Sequence, residues 1–418
     1  MSEHYELRCR QCGRGLGNAP VAMCEECIAP LEVVFDLEGL RGRLTRDRIA
    51  ARPASLWRYA ELLPVPADAR PELPVGFTPL LPAPRLAREL GCERLFVKND
   101  CVCLPSLSFK DRVVAVALER ARAFGLKVVG CASTGNLANA VAAQAARGGF
   151  EAWVFVPAGI EPTKIVASAV YGARVVPIKG SYDQVNRLCS LVADHFHWGL
   201  VNVNLRPYYA EGSKTVGFEI AEQLGWRLPD NVVVPMAGGA LITRIQKGFH
   251  ELAALGLIEP KPVKFFGAQA AGCSPISTAV KRGLKFPEPQ KPQTICHSLA
   301  IGNPADGPFA VEAILSSGGW AEDAADAEIV AGMKLLAETE GIFAETAGGV
   351  VVSVARKLIE QGRIGARETT VLAITGNGLK TTEALAAQTT LLPAVEPRLA
   401  AFEAMLAEAG APTPIASQ

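Results

Sequence analysis

The chain carries no excess of charge of either sign: its 42 lysines and arginines equal its 42 aspartates and glutamates. A neutral balance gives no electrostatic footprint of the kind that nucleic-acid binding draws on, so no nucleic-acid partner is expected. No uninterrupted apolar stretch approaches the roughly 20 residues that a helix needs to cross a bilayer, which removes a membrane span and a membrane partner from the expectations. Met1 to Arg10 carry mixed charges and no apolar leader segment, so no secretory signal is read and the cytoplasm is the expected compartment. Internal repeats are missing too, which leaves solenoids and propellers aside.

What is present is length and cysteine. With 418 residues the chain can bury a large core and divide into two or three domains. Four of its 11 cysteines form two Cys-x-x-Cys pairs, Cys9/Cys12 and Cys24/Cys27. Two such knuckles can close a tetrahedral thiolate shell, so residues 1–30 are expected to be a zinc-ribbon-like segment with a structural Zn²⁺; free or redox-active thiols are the alternative. Residues 31–75, with Pro53, Trp57, Tyr59 and the Pro64-Val65-Pro66 break, read as an extension with few regular signals that wraps the main body.

From Leu95 onward, short apolar runs alternate with helical patterns. The expected strands are Leu95–Lys98, Val128–Ala132, Ala152–Pro157, Arg174–Pro177, Val232–Pro235, Lys264–Ala268 and Val371–Thr375. Between them, a 3.6-residue period predicts helices over Arg112–Phe124, Leu137–Ala146, Gln184–Ala193, Lys214–Leu224, Ile242–Leu255 and Ala327–Thr339. Such alternation implies parallel sheets covered by helices, an α/β protein. Residues 391–418 are expected to form a peripheral helix and tail.

Ligands of open α/β sheets sit at the carboxyl ends of the strands, so the loops after the apolar runs are where chemistry is sought. Ser106 to Arg112 puts Lys110 at the mouth of a helix, whose dipole favours a neutral, nucleophilic amine. Ser133-Thr134-Gly135-Asn136 offers hydroxyls and N–H groups to an anion such as a carboxylate, or serves as an ordinary helix cap. Ala237-Gly238-Gly239-Ala240-Leu241 is a phosphate cradle in outline, or a tight start to a helix. Thr375, ahead of Gly376, gives a hydroxyl that can bond a heterocyclic nitrogen, or simply a turn. A lysine, a phosphate cradle and a ring-nitrogen partner together are what pyridoxal 5'-phosphate requires.

The motifs Ser-Phe-Lys-Asp-Arg (Ser108–Arg112), Ser-Thr-Gly-Asn (Ser133–Asn136) and Thr-Gly-Asn-Gly-Leu-Lys (Thr375–Lys380) resemble those of threonine synthases, most nearly the form found in cyanobacteria. Thr78-Pro79-Leu80, Glu211-Gly212-Ser213-Lys214-Thr215, Gly267-Ala268-Gln269 and Ile301-Gly302-Asn303-Pro304 extend the likeness over most of the chain. The resemblance implies the fold type II of pyridoxal-phosphate enzymes: two parallel-sheet lobes with the cofactor between them, in a catalytic domain spanning 76–390 whose smaller lobe covers roughly 110–210. It assigns Lys110 to the covalent hold on the cofactor, Asn136 to its 3-hydroxyl oxygen, Ala237 to Leu241 to its phosphate and Thr375 to its pyridine nitrogen. Ser133 and Thr134 fall to the substrate carboxylate. Two departures stand out. The cradle lacks the asparagines of a common Gly-Asn-x-Gly-Asn pattern, and Asn202 to Pro207 is spaced unlike the Asn-Pro-x-Arg-x-Glu-Gly of other branches, so Arg206 is the remaining candidate for a substrate phosphate. Lys164 is another, with a solvated lysine as its plainer reading.

The reaction so implied converts O-phospho-L-homoserine and water into L-threonine and phosphate, in a homodimer. Rival readings are a relative acting on phosphoserine, as cysteate synthase does, a serine or threonine dehydratase, or a non-catalytic scaffold whose ribbon binds a partner.

Overall fold

The computed structural model describes residues 4–66, 69, 73–159, 162–180, 182–386 and 391–408. Strands β1 (Tyr5–Cys9), β2 (Gly15–Gly17) and β3 (Leu31–Phe35) form an antiparallel sheet in the order β2-β1-β3. Leu31–Phe35 was expected to be irregular, and here the structure differs. Its alternation buries Leu31, Val33 and Phe35 on one face, which is the period-2 signature of a half-buried strand. The rest of the extension is also more regular than expected, with helices Leu37–Leu40 and Arg46–Ala50 and a 3₁₀ segment Leu56–Leu62.

The main body has two sheets. Strands β4 (Leu80–Pro82), β5 (Leu95–Asn99), β10 (Asn231–Pro235), β11 (Lys264–Ala270), β12 (Trp320–Ala324) and β13 (Thr370–Ile374) run in the order β12-β11-β10-β13-β5-β4. All neighbours are parallel except β4 with β5. Strands β6 (Val128–Ala132), β7 (Glu151–Pro157), β8 (Arg174–Ile178) and β9 (Gly199–Leu200) make a parallel sheet in the order β8-β7-β6-β9. The chain thus starts the larger sheet, leaves to build the smaller one, and returns to finish the larger. All seven expected strands are present, within a residue or two of their expected ends. Thr375 lies just beyond β13 rather than inside it.

Continuous apolar runs such as β10 and β13 are buried at every residue, as a sheet covered on both faces requires. The helices over them explain the cover. Helix Thr346–Glu360 buries 11 of its residues, and helix Ala240–Ala254 buries Leu241, Ile242, Ile245, Phe249 and Leu252 at i, i+3 and i+4 spacing. Helix Lys110–Ala123 has Asp111 in its first turn and Arg120 and Arg122 in its last, matching the helix dipole. Its Val113, Val114, Ala117, Leu118 and Ala121 share one core with Tyr5, Leu7, Val33 and Phe35 of the N-terminal sheet. At about 1.5–3 kcal/mol for each large apolar side chain buried, that shared core ties β1 and β3 to the body.

Residues 4–381 and the described residues from Thr382 onward form separate compact units, the second with helices Glu383–Ala386 and Leu399–Glu408. No helix among the described residues is long and apolar enough to cross a membrane.

Candidate active site and cysteine cluster

Lys110 opens its helix with a half-buried side chain. Its Nζ donates a hydrogen bond to the Tyr209 hydroxyl at 3.1 Å and lies 4.6 Å from the centre of the Phe109 ring. The loop that presents it is clipped to the loop after β13: Phe109 N–H donates to the Thr375 carbonyl at 2.9 Å, and Asn377 N–H to the Leu107 carbonyl at 3.1 Å. Behind the lysine, the Asp111 carboxylate accepts from Ser106 N–H at 3.0 Å, Ser106 Oγ at 2.8 Å and Ser108 N–H at 3.3 Å. Burial nevertheless lifts its carboxyl to about 6.

Arg112, two residues further along the helix, is wholly buried. Its guanidinium donates to Asp100 at 2.6 and 2.8 Å, to Thr78 Oγ1 at 2.9 Å, to Thr215 Oγ1 at 3.0 Å and to both Glu219 oxygens. Lys98 Nζ completes the cluster at 2.6 Å from Glu219 Oε2. Burial opposes ionisation of Glu219, but Arg112 and Lys98 hold its carboxyl down to about 2.

Asn136 begins helix Asn136–Gly148 at the carboxyl end of β6. Its Nδ2 donates to Glu345 Oε2 at 2.8 Å, and its Oδ1 accepts from Lys380 Nζ at 2.9 Å. An amide held at both ends cannot flip, and Nδ2 keeps one N–H for a further acceptor. Burial raises the Glu345 carboxyl against the pull of Asn136, Lys380 and Lys110, and burial lowers the Lys380 ammonium against Asp111 and Glu345. Gly376 makes room for this acid, since a Cβ there would stand 2.4 Å from Glu345 Oε1. Ser133 and Thr134 are half-buried just ahead of Asn136; Ser133 Oγ accepts Gly135 N–H at 3.3 Å, a short-range turn of the Ser/Thr type.

The cradle Ala237–Leu241 follows β10. Gly239 has φ +93°, a conformation that favours glycine, and its position is crowded by Asp306 and Ala310. Helix Ala240–Ala254 starts with no side-chain cap, so its first N–H groups are available to a ligand. Nothing lies within 4 Å of where a Gly238 Cβ would be. Free N–H groups facing open space fit the phosphate of a cofactor. Arg206 Nη2 donates to Asp306 Oδ2 at 2.6 Å. Its helix, Arg206–Glu211, also carries Tyr209, so one short helix joins the surroundings of Lys110 to those of the cradle. The side chain of Lys164 lies outside the described residues.

Sequence reasoning missed Tyr209, Glu345 and Asp306. Lys380 was inside a quoted motif without a role. Each acts across a long separation, 209 residues for Asn136 with Glu345, and no local pattern signals such a pairing.

The four N-terminal thiols lie within 4.8 Å of one another. Cys9 and Cys27 sulfurs are 3.3 Å apart, Cys12 and Cys27 3.8 Å, and Cys12 and Cys24 3.9 Å. A tetrahedral Zn–S₄ centre with bonds of about 2.3 Å has edges of about 3.8 Å, so the cluster has the size of a zinc site. The cluster divides its protons unevenly: the backbone N–H of Cys12, and more weakly that of Gln11, bring the Cys9 thiol down to about 6 against the cost of burial, while the hydrogen bond with Cys9 pushes the Cys27 thiol up to about 12.

A profile of the family described as "Pyridoxal-phosphate dependent enzyme" matches residues 71–376. A threonine synthase of Methanocaldococcus jannaschii is 39% identical over 90% of this chain and 93% of its own, and one of Methanosarcina acetivorans is 38% identical over 90% and 92%. The threonine synthase of a Synechocystis species is 37% identical over 78% and 84%. Among solved structures, maize serine racemase superposes with a TM-score of 0.62 at 21% identity, covering 75% of this chain and 92% of that one. A tomato threonine deaminase isoform gives 0.62 at 22% identity, over 81% and 96%. The latter two speak for the fold alone. The profile spans most of the chain and the relatives are 37–39% identical to it, so the chain belongs to the pyridoxal-phosphate dependent enzymes.

Proposed function

We propose that the protein is a threonine synthase, converting O-phospho-L-homoserine and water into L-threonine and phosphate. The observation that carries the reading is the meeting of the Lys110 loop with the Thr375 loop, and of Asn136 with Glu345 and Lys380, in a chain matched over 78–90% of its length by threonine synthases.

In this reading Lys110 holds the cofactor covalently and Ala237 to Leu241 hold its phosphate by backbone N–H groups. Asn136 offers its remaining N–H to the 3-hydroxyl oxygen, and Thr375 turns its hydroxyl to the ring nitrogen. The bound cofactor supplies an electron sink for charge developing on the substrate carbons. With the cofactor bound, Lys110 would be the base placed to take the proton from Cα and then from Cβ. Ser133 and Thr134 grip the substrate carboxylate, which keeps those C–H bonds aimed at the lysine. Phosphate would leave from Cγ, a proton return there, the hydroxyl of a water add at Cβ, and Cα regain its proton from Lys110. A hydroxyl at Thr375 gives no strong reason to protonate the ring nitrogen, which suits proton shuttling between carbons. Arg206, with guanidinium N–H groups beyond the one on Asp306, is assigned to the departing phosphate. Zn²⁺ is placed at Cys9, Cys12, Cys24 and Cys27, and a cytoplasmic homodimer without nucleic acid completes the reading, checked by sedimentation of the purified protein.

The test is phosphate release and threonine formation from O-phospho-L-homoserine, with borohydride reduction and peptide mapping to find the cofactor on Lys110. Turnover of phosphoserine with sulfite, and none of phosphohomoserine, would move the substrate to the cysteate synthase type. A protein that binds no pyridoxal phosphate would end the reading.

A further inference from the structure

We propose that the cysteine ribbon sets how tightly Ala237 to Leu241 grip the cofactor phosphate, and that Arg10 is the positioning residue that transmits it. The inference rests on the reading of that loop as the cofactor's phosphate site.

Arg10 follows Cys9 directly, and its backbone N–H donates to the Pro30 carbonyl at 3.1 Å, inside the ribbon. The side chain leaves the ribbon. Its guanidinium carbon lies 3.4 Å from the centre of the Phe309 ring, and Nη1 lies 3.5 Å from Asp306 Oδ1. Asp306 in turn holds the cradle: its backbone N–H donates to the Gly238 carbonyl at 2.9 Å. Its carbonyl oxygen would be 3.0 Å from a Cβ at Gly239, so Asp306 also bounds the space in which the cradle can relax. The carboxylate's other oxygen is bound by Arg206 at 2.6 Å. From thiol to phosphate site, the path is therefore Cys9, Arg10, Asp306 and Gly238, with Phe309 as a flat stop for the arginine.

A metal is the part of this path that can come and go. Strands β1 and β3 stay docked through Tyr5, Leu7, Val33 and Phe35, which belong to the body's core. Beyond Cys9, which is buried in that core, the knuckle has a thinner hold: Gln11 and Cys12 are exposed, their N–H groups bond the Cys9 sulfur at 3.4 and 3.5 Å, and Gly13 N–H donates to the Cys9 carbonyl at 3.1 Å. Losing the metal loosens the knuckle beyond Cys9, lets the Arg10 guanidinium shift from Phe309 and Asp306 towards Glu32, whose Oε2 is 3.8 Å from its Nε, and leaves Asp306 to follow Arg206. The cradle carbonyl moves with it. Coupling between two sites is reciprocal, so bound cofactor must tighten the metal by the same factor that metal tightens the cofactor.

The test uses the full-length protein and two probes, pyridoxal 5'-phosphate and pyridoxal, which lacks the phosphate. Zinc-loaded protein is expected to bind pyridoxal 5'-phosphate about tenfold more tightly than chelator-treated protein, with pyridoxal binding unchanged. Zinc affinity, titrated with a competing chelator, should rise by the same factor when pyridoxal 5'-phosphate is bound. Arg10→Ala should show the weakened phosphate binding with zinc in place, and no further loss on chelation; Arg10→Lys, keeping the charge without the planar stack, should fall between. Equal weakening of pyridoxal and its phosphate would mean general loosening and would overturn the proposal. So would an Arg10→Ala protein that still responds to zinc. Gly239→Val separates the two readings: if it leaves the advantage of pyridoxal 5'-phosphate over pyridoxal intact, the loop does not hold the phosphate at all.

Discussion

Lys110 and Arg112 stand two residues apart on one helix, yet Lys110 has one hydroxyl within hydrogen-bond reach while Arg112 makes six hydrogen bonds in a sealed interior. Their acids differ in the same sense. Glu219, facing Arg112 and Lys98, is held down to about 2, whereas Glu345, facing an amide and a partly exposed lysine, is pushed up by burial. Saturated charge fixes a backbone in place, and charge left short of partners is what a cofactor or substrate can engage. The first cluster is scaffold for the second: it locks the helix so that the lysine arrives at one position.

Removing each member should break the comparison differently. Lys110→Ala is expected to cost about 10⁴-fold in turnover, the upper range for a positioned acid–base group, and to abolish borohydride-stable labelling, with urea stability altered by less than about 1 kcal/mol. Arg112→Met should do the reverse in kind, losing about 3–5 kcal/mol of stability by urea denaturation because Asp100 and Glu219 stay buried without their partner. Equal stability losses in the two variants would erase the distinction. Lys380→Met, which frees the Asn136 carbonyl, is expected to weaken pyridoxal 5'-phosphate binding about tenfold, or 1.4 kcal/mol, while leaving Lys110 labelled.

The acids give a pH test with opposite signs. Glu219 has a folded value of about 2 against an ordinary 4.5, so its contribution to stability is full above about pH 4.5 and is lost as pH falls towards 2. Asp111 sits at about 6 against an ordinary 3.8; the folded state binds its proton more tightly, and this group adds stability as pH falls from about 6 to 4. Denaturation midpoints from pH 3 to 7 should therefore lose the Asp111 slope in Asp111→Asn and keep it in wild type. Arg206→Lys is the smallest change expected, a rise of about threefold in KM for phosphohomoserine with kcat retained, since a lysine can keep Asp306 but loses the planar fork.

The strands were legible because fully buried parallel strands leave unbroken apolar runs, as Val232–Pro235 and Val371–Ile374 do. Strand β12 was not, since Trp-Ala-Glu-Asp-Ala lies at the sheet edge with only Ala321 and Ala324 buried. Leu31–Phe35 alternates correctly but is only five residues long and directly follows Pro30. In the site, motif residues at helix starts were found where the sequence expected them, because their loops follow strands. Glu345 and Tyr209 were not found, as their meaning comes from partners distant in the chain. Arg206 was judged by its type, and its neighbour Asp306 was invisible to a linear reading.

The placement of β13 has a consequence for how the molecule comes into being. It is the last strand of the body to be made, yet it lies in the middle of the larger sheet, between β10 and β5. The loop after it reaches back 276 residues to Cys101. At ribosomal speeds of about 5–20 residues per second, the lysine loop waits on the order of tens of seconds for the strand that completes its setting. A nascent chain can finish its smaller sheet early, but the larger one stays split into two unjoined halves until β13 has been made. Its exposed half-sheets therefore need protection from one another and from neighbouring chains during that interval.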